Sequence, residues 1–307
     1  MGPRRSASSS VPPTSGGAYG RRDAMLDLDP ERPGVTPRDA ATLVVVRDAP
    51  RGGVEVFCVE RQKVGFLGGA IVFPGGKLEP DDLDPAWTGR ATAPRTPRTP
   101  VAADEATLRG LAVAACREAL EEAAILPVVG GALAHAELLE WRARAERGEA
   151  TLRELLAARG LSLDLASLHP FARWITPVAE ARRFDARFFL FVAGDALTGA
   201  HDDHETTASF WAPPGEVLRR FTAGELQLAP PTHRTLEILA SAHDARHAVA
   251  ATEGACLDPI CPRLVSQGDS VALVLPGDPE HDVREPRSPG KSRFVLRGDR
   301  FLPEDPP

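Results

Sequence analysis

Three glutamates crowd one turn in the run Arg117-Glu118-Ala119-Leu120-Glu121-Glu122, and that crowding limits what the chain can be. From about Ala103 to Ala124, Leu108, Leu111, Ala112, Ala115, Ala119 and Leu120 recur at helical spacing, which predicts a helix with its acidic run near the end. Glu118, Glu121 and Glu122 then stand at i, i+3 and i+4 on one face, where like charges cost roughly 0.2–0.5 kcal/mol per pair. Clustered carboxylate oxygens are what a hard divalent cation requires, and a bound cation would turn the repulsion into attraction. The plainer reading is a solvated acidic helix face.

The segment Val72-Phe73-Pro74-Gly75-Gly76-Lys77-Leu78-Glu79-Pro80-Asp81-Asp82 ends an apolar run in a Pro-Gly-Gly turn, which lets backbone approach a ligand before the chain turns acidic. With Arg117 to Ile125 it resembles the Nudix box, G-x5-E-x7-R-E-U-x-E-E-x-G-U with U aliphatic. Gly76 takes the first glycine, and Arg117, Glu118, Glu121 and Glu122 take the central positions. Asp82 stands where the pattern has glutamate. Ala124 replaces the second glycine, which predicts a helix needing no left-handed turn there. The stretch from Asp82 to Arg117 far exceeds the seven residues of the pattern, so an insertion splits the box. Its Pro94-Arg95-Thr96-Pro97-Arg98-Thr99-Pro100 run should be an exposed loop.

Trp174-Ile175-Thr176-Pro177, Arg182-Arg183-Phe184-Asp185-Ala186-Arg187-Phe188-Phe189, Asp203-His204-Glu205, Trp211 and Leu228-Ala229-Pro230-Pro231-Thr232 extend the likeness to the branch that includes the peroxisomal coenzyme A diphosphatases. Members of that branch often carry an R-x3-R-x3-G-x3-F-P-G-G-like lead into the box. Here Arg61, Gly69 and Phe73-Pro74-Gly75-Gly76 fit, while Gly65 takes the second arginine's place. The resemblance implies an α/β fold: a Nudix-type α-β-α sandwich with a mixed sheet, a helical insertion and a small β-rich C-terminal extension. It also implies a diphosphatase using Mg²⁺ or Mn²⁺ and acting on coenzyme A or acyl-coenzyme A. ADP-ribose or a nucleotide sugar is the alternative substrate, and a nucleotide-sensing module without catalysis the alternative class. Glu118, Glu121 and Glu122 are carried over as metal ligands, and Arg117 as the residue that orients them.

Other site candidates rest on residue type and place. Glu205 would supply an extra ligand or the base, although His201-Asp202-Asp203-His204-Glu205 also reads as a zinc-like cluster or a solvated turn. Arg61, Arg183 and Arg187 near strand ends, with Gly75, Gly76 and Lys77, are candidates for substrate phosphates, the arginines equally for surface ion pairs. Trp174 and Phe184 would stack on an adenine or pack in the core, with core packing favoured for Phe184. The helices expected over Ala134–Ala145 and Thr151–Ala158 would form a lid or an acyl-chain wall.

A net charge of −7 argues against nucleic-acid binding through a basic surface, and no apolar stretch reaches the length of a membrane span. Cys58 and Cys116 sit in apolar runs as buried free thiols, which favours a reducing, cytoplasmic setting. Ending in Asp305-Pro306-Pro307, the sequence gives no support to import by a Ser-Lys-Leu-like signal. Residues 1–35, rich in Ser, Gly, Pro and Arg, read as a disordered tail, 36–249 as the hydrolase domain with insertions at about 83–103 and 130–170, and 250–307 as the extension. Strands are expected at Ala41–Arg47, Val54–Glu60, Ala70–Phe73, Arg187–Val192 and Thr207–Trp211, and helices at Pro214–Phe221 and Thr232–His247. Short strands around Cys261–Val265, Val271–Leu275 and Ser292–Arg297 would add a small sheet or mediate a homodimer.

Overall fold

A computed structural model describes residues 26–63, 66–194, 197–202 and 204–307. Its organising element is β1 (Arg38–Asp48), a β-branched strand whose Leu43 to Val46 are wholly buried on both faces. The first half of β1 pairs antiparallel with β4 (Gly75–Lys77), and the second half with β2 (Val54–Arg61). Because β3 (Ala70–Val72) also pairs with β2, the Phe73-Pro74 corner carries the chain between two registers of one sheet. The Gly75–Lys77 turn is thereby seated on the central strand.

Helix α1 (Glu105–Ala123) starts where the Asp104 side chain accepts from Thr107 N at 2.7 Å. It packs across β1 and β4, with Leu111, Ala112, Ala115, Ala119 and Leu120 fully buried. Here the expectation for Ala124 is corrected. At φ 49° and ψ 43° it is the left-handed C-cap of α1, the conformation for which the family pattern carries glycine.

The insertion within the box runs as two short 3-10 turns, Pro80–Leu83 and Pro85–Gly89, and then an irregular surface path through Pro94–Pro100. Trp87, buried and donating to Asp81 O at 2.9 Å, pins its start. After α1 come β5 (Val128–Val129), α2 (His135–Glu146), α3 (Leu152–Ala158) and β6 (Ser162–Leu163), the last pairing with β5. The sheet then gains β7 (His169–Ile175), absent from the sequence expectations, where Pro170 disguises a strand that pairs with β8 (Phe184–Val192). β8 lies parallel to β1, and β9 (Thr206–Ala212) pairs with β2, completing a mixed sheet with β10 (Gln227–Leu228) beside β3.

Helix α4 (Pro214–Thr222) follows β9. The single helix expected over Thr232–His247 is two, α5 (Pro230–Ala240) and α6 (Ala245–Glu253). Asp244 breaks it, because its carboxylate caps a new helix by accepting from His247 N at 2.7 Å. The C-terminal strands β11 (Arg263–Gln267), β12 (Ser270–Val274), β13 (Arg293–Arg297) and β14 (Arg300–Glu304) form an antiparallel meander. Leu273, Leu275, Phe294 and Phe301 join the main core, so this sheet is added to the domain. The 1–35 tail is likewise corrected at its end. Leu26 and Leu28 are buried in the same core, and Asp29 N donates to Ala179 O at 2.9 Å. Residues 1–25 lie outside the described set.

Candidate active site

Arg117 holds the site together. Its Nε and Nη2 donate to the two oxygens of Asp82 at 3.0 and 3.1 Å, Nη2 also reaches Lys77 O at 3.0 Å, and Nη1 donates to Glu118 and Glu121, both at 2.9 Å. One planar guanidinium thus ties the end of β4, the 3-10 turn and α1 into a single unit. Asp82, 2% exposed, also accepts from Glu79 N at 2.8 Å. Its shorter stem suits an anchor buried under Arg117. Burial works against the charge of Arg117, but Asp82, Glu118 and Glu121 outweigh it and hold its pKa above the usual range.

Glu122 is buried, accepts from Gly75 N at 3.0 Å and lies 3.4 Å from Arg61 Nη1. Burial, then the neighbouring Glu118, pushes its carboxyl up to about 8, against the pull of Arg61. Glu121 is raised to about 7, first by burial, with Arg117 opposing. Glu118 is raised by burial as well, again against Arg117. The glycines are required by proximity: a Cβ on Gly76 would fall on the Glu118 carboxylate, and one on Gly75 would lie 2.6 Å from Ala41 O. Arg61 also meets Glu205 at 3.4 Å, so a chain of charges runs from Glu122 through Arg61 to a 65% exposed carboxylate.

From this polar end a cleft of about 340 Å³ extends between the Gly75-Gly76 turn and an apolar wall. Leu26, Phe66, Trp174, Ile175, Phe184 and Pro230 are among its lining residues, with Arg61, Lys77, Glu118 and Glu205 at its charged end.

The NUDT19 Nudix domain model matches residues 95–239. A Nudix hydrolase structure from Alicyclobacillus acidocaldarius aligns with 33% identity over 70% of this chain and 96% of its own, at a TM-score of 0.58. The chain belongs to the Nudix hydrolase family. Its curated relatives include acyl-coenzyme A diphosphatase NUDT19 of Gallus gallus, 26% identical over 80% of this chain and 77% of the relative. The Homo sapiens protein of the same name is 27% identical over 76% and 73%. The Nudix-type α/β fold read from the sequence is the fold found, and the enzyme is a hydrolase that works with a divalent metal ion.

The donor set of this Nudix hydrolase fits such an ion. Glu118, Glu121, Glu122 and Glu205 gather around two guanidiniums, Arg61 and Arg117, and every donor is a hard oxygen. Among the described residues no three His, Cys, Asp or Glu side chains stand grouped as a ligand set, because Glu118 and Glu121 are turned onto Arg117 and Glu122 onto Gly75 N. A cation at this turn therefore competes with Arg117 for two of its three carboxylates.

The predicted residues divide clearly. Glu118, Glu121, Glu122, Arg117, Arg61, Gly75, Gly76, Lys77 and Glu205 come together. Arg187 does not: buried against the core, it donates to Val101 O at 2.8 Å and pairs with Asp39 and Asp185. Arg183 is also corrected, its Nε spent on Thr176 O at 3.0 Å and Nη1 on Val35 O at 2.7 Å. Both arginines hold strands in place. Phe184, expected in the core, is half-buried in the cleft wall with its ring 5.6 Å from that of Phe66. Helices α2 and α3 do not line the cleft. Instead Arg142 of α2 donates to Ala200 O and His201 O, both at 3.0 Å, bracing the segment that leads to Glu205. Asp202 shapes that segment as a capped turn, accepting from the amides of His204, Glu205 and Thr206. Gly65 and Asp203 lie outside the described residues. Leu26 and Phe66 escaped the sequence reading; the alternation Leu26-Asp27-Leu28-Asp29 was the available signal for the first.

Proposed function

We propose that this Nudix hydrolase cleaves the diphosphate linkage of coenzyme A or acyl-coenzyme A, with Mg²⁺ or Mn²⁺ as its metal. The observation that carries the reading is the continuity of the carboxylate turn with the apolar cleft. A diphosphate held at the turn would point the pantetheine arm, and in the acyl form its hydrocarbon chain, along Phe66, Phe184 and Ile175. The sugar hydroxyls of ADP-ribose or a nucleotide sugar would lie unpaired against the same rings, at a cost in desolvation. The activity named for the two curated relatives points the same way.

In this reading Glu118, Glu121 and Glu122 would hold the metal, which supplies charge neutralisation on the diphosphate oxygens and acidifies a water. Arg117 orients two of those carboxylates and fixes their turn. Arg61 and Lys77 bind the diphosphate, Gly75 and Gly76 let it approach the backbone, and Glu205, exposed at the rim, takes the proton from the attacking water. The buried thiols of Cys58 and Cys116 agree with a reducing compartment such as the cytoplasm. No helix among the described residues is long and apolar enough to cross a membrane.

The test is product analysis of the purified protein with Mg²⁺ or Mn²⁺ on coenzyme A, acyl-coenzyme A, ADP-ribose and a nucleotide sugar, with Glu121→Gln alongside. Release of 4′-phosphopantetheine or its acyl form with adenosine 3′,5′-bisphosphate, lost in the variant, is expected. Faster turnover of ADP-ribose or the nucleotide sugar would overturn the substrate assignment.

A further inference from the structure

A second cavity, of about 430 Å³, opens at the seam between the hydrolase core and the C-terminal extension. One wall is β7 and α5, contributing Phe171, Trp174, Arg234 and Ile238; the other is the extension, contributing Cys256, Ile260 and Arg287. Arg234 is the anomaly. It is 2% exposed, and its guanidinium pairs with Glu237 and donates to Lys291 O at 2.5 Å, yet its buried Nε–H meets no acceptor. Buried charged donors are rarely left unpaired without a reason. The extension is shaped around this group, since a Cβ on Gly290, at φ +84°, would land on Arg234 Nη1. Burial also lowers the Arg234 pKa, with Glu237 opposing.

The cavity holds a second cation. Arg287 is half-buried, donates to Pro259 O at 2.5 Å and makes no ion pair with a carboxylate among the described residues. Glu237, which pairs with Arg234, does not itself line the cavity, so among the described residues the two guanidiniums of the lining meet no carboxylate there and leave room for an anionic head. Phe171, Trp174, Ile238 and Ile260 make most of the remaining wall apolar, with Thr235 and Ser288 as its hydroxyl groups, so an anion with an apolar body is matched along its length.

We propose that this seam cavity is a second ligand site, taking a small amphipathic monocarboxylate whose head meets Arg234 and Arg287 and whose body lies on Phe171, Ile238 and Ile260. Trp174 lines both this cavity and the catalytic cleft, so the two sites share one side chain as their partition.

Cys256 supplies a local reporter. It is the exposed thiol at the cavity, whereas Cys58 and Cys116 are buried and Cys261 half-buried. The full-length protein is treated with iodoacetamide in the presence of octanoate, octanol or inorganic phosphate, modification of Cys256 is followed by mass spectrometry, and octanoate binding is measured by calorimetry. Arg287→Met is the variant, because Arg234 is buried and its loss threatens folding itself. Saturable octanoate binding that slows Cys256 modification, and that weakens about tenfold or more in Arg287→Met, is the expected result. Equal protection by octanol or by phosphate, binding that Arg287→Met leaves unchanged, or no protection of Cys256 would each overturn the proposal. Binding confined to the catalytic cleft would appear as the second or third of these.

Discussion

Glu122→Gln should make the metal-free protein more stable at alkaline pH while removing its ability to be stabilised by metal. The side chain is 3% exposed, and its carboxyl is raised from 4.5 to about 8. Its folded pKa lies above its unfolded one, so between those values the folded chain keeps a proton that the unfolded chain has released. Stability is therefore whole below the unfolded pKa and is lost as pH rises through the folded value, a window from about 4.5 to about 8. At about 1.4 kcal/mol per pKa unit the full displacement corresponds to roughly 4–5 kcal/mol, and relaxation of the site around the charge brings this to about 2–4 kcal/mol. Glutamine keeps an oxygen for Gly75 N–H and carries no charge to desolvate. Thermal melts in a chelator are expected to show wild type and variant within about 1 °C at pH 5, and the variant higher by roughly 3–6 °C at pH 9. Adding Mg²⁺ or Mn²⁺ at pH 8 should raise the wild-type Tm and leave the variant unmoved. A chelated wild type that outlasts the variant at pH 9 would refute the reasoning, because burial would then not be the dominant influence on Glu122.

Three further substitutions separate roles within the site. Arg117→Lys keeps the charge but loses the fork on Asp82, and urea unfolding should show a loss of about 2–4 kcal/mol together with a fall in kcat. Arg187→Met should cost stability by a similar amount while leaving KM within about twofold, whereas Arg61→Met should raise KM; steady-state kinetics beside thermal melts reads both. Ala124→Gly should be nearly neutral in denaturant titrations, within ~0.5 kcal/mol, because relief of the left-handed strain offsets the loss of a buried methyl, while Ala119→Gly, buried in regular helix, should cost about 1–2 kcal/mol.

The sequence exposed most of what depends on short range. The period of α1, the β-branched runs of β1 and β2 and the Pro-Gly-Gly turn each carry their signal within one element, and α1 and β2 are found within two residues of where they were expected. The carboxylates of the box were legible because their spacing on one helix turn is itself the signal. What stayed hidden depends on partners distant in sequence. Arg187 and Arg183 look like any other arginines at a strand end; only pairing with Asp39, 148 positions away, and with Val35 O shows them to be structural. In the sequence Asp82 is only a carboxylate standing where the pattern has glutamate; its anchoring role lies in the placement of its two oxygens under Arg117. The cleft wall draws Leu26, Phe66, Trp174 and Pro230 from four separate segments, and no local pattern relates them.

The Arg117–Asp82 fork also explains how a split motif remains a working one. It joins residues 35 positions apart, so the two halves of the box meet by side-chain contact and owe nothing to the length of chain between them. Closing a loop of that size in place of one of about eight residues adds only about 1.3 kcal/mol of chain entropy, because the cost grows with the logarithm of loop length. The stretch through Pro94 to Pro100 is in effect a joint where foreign sequence can be spliced into the interior of a catalytic signature, and a search that demands an unbroken signature will pass over enzymes built this way.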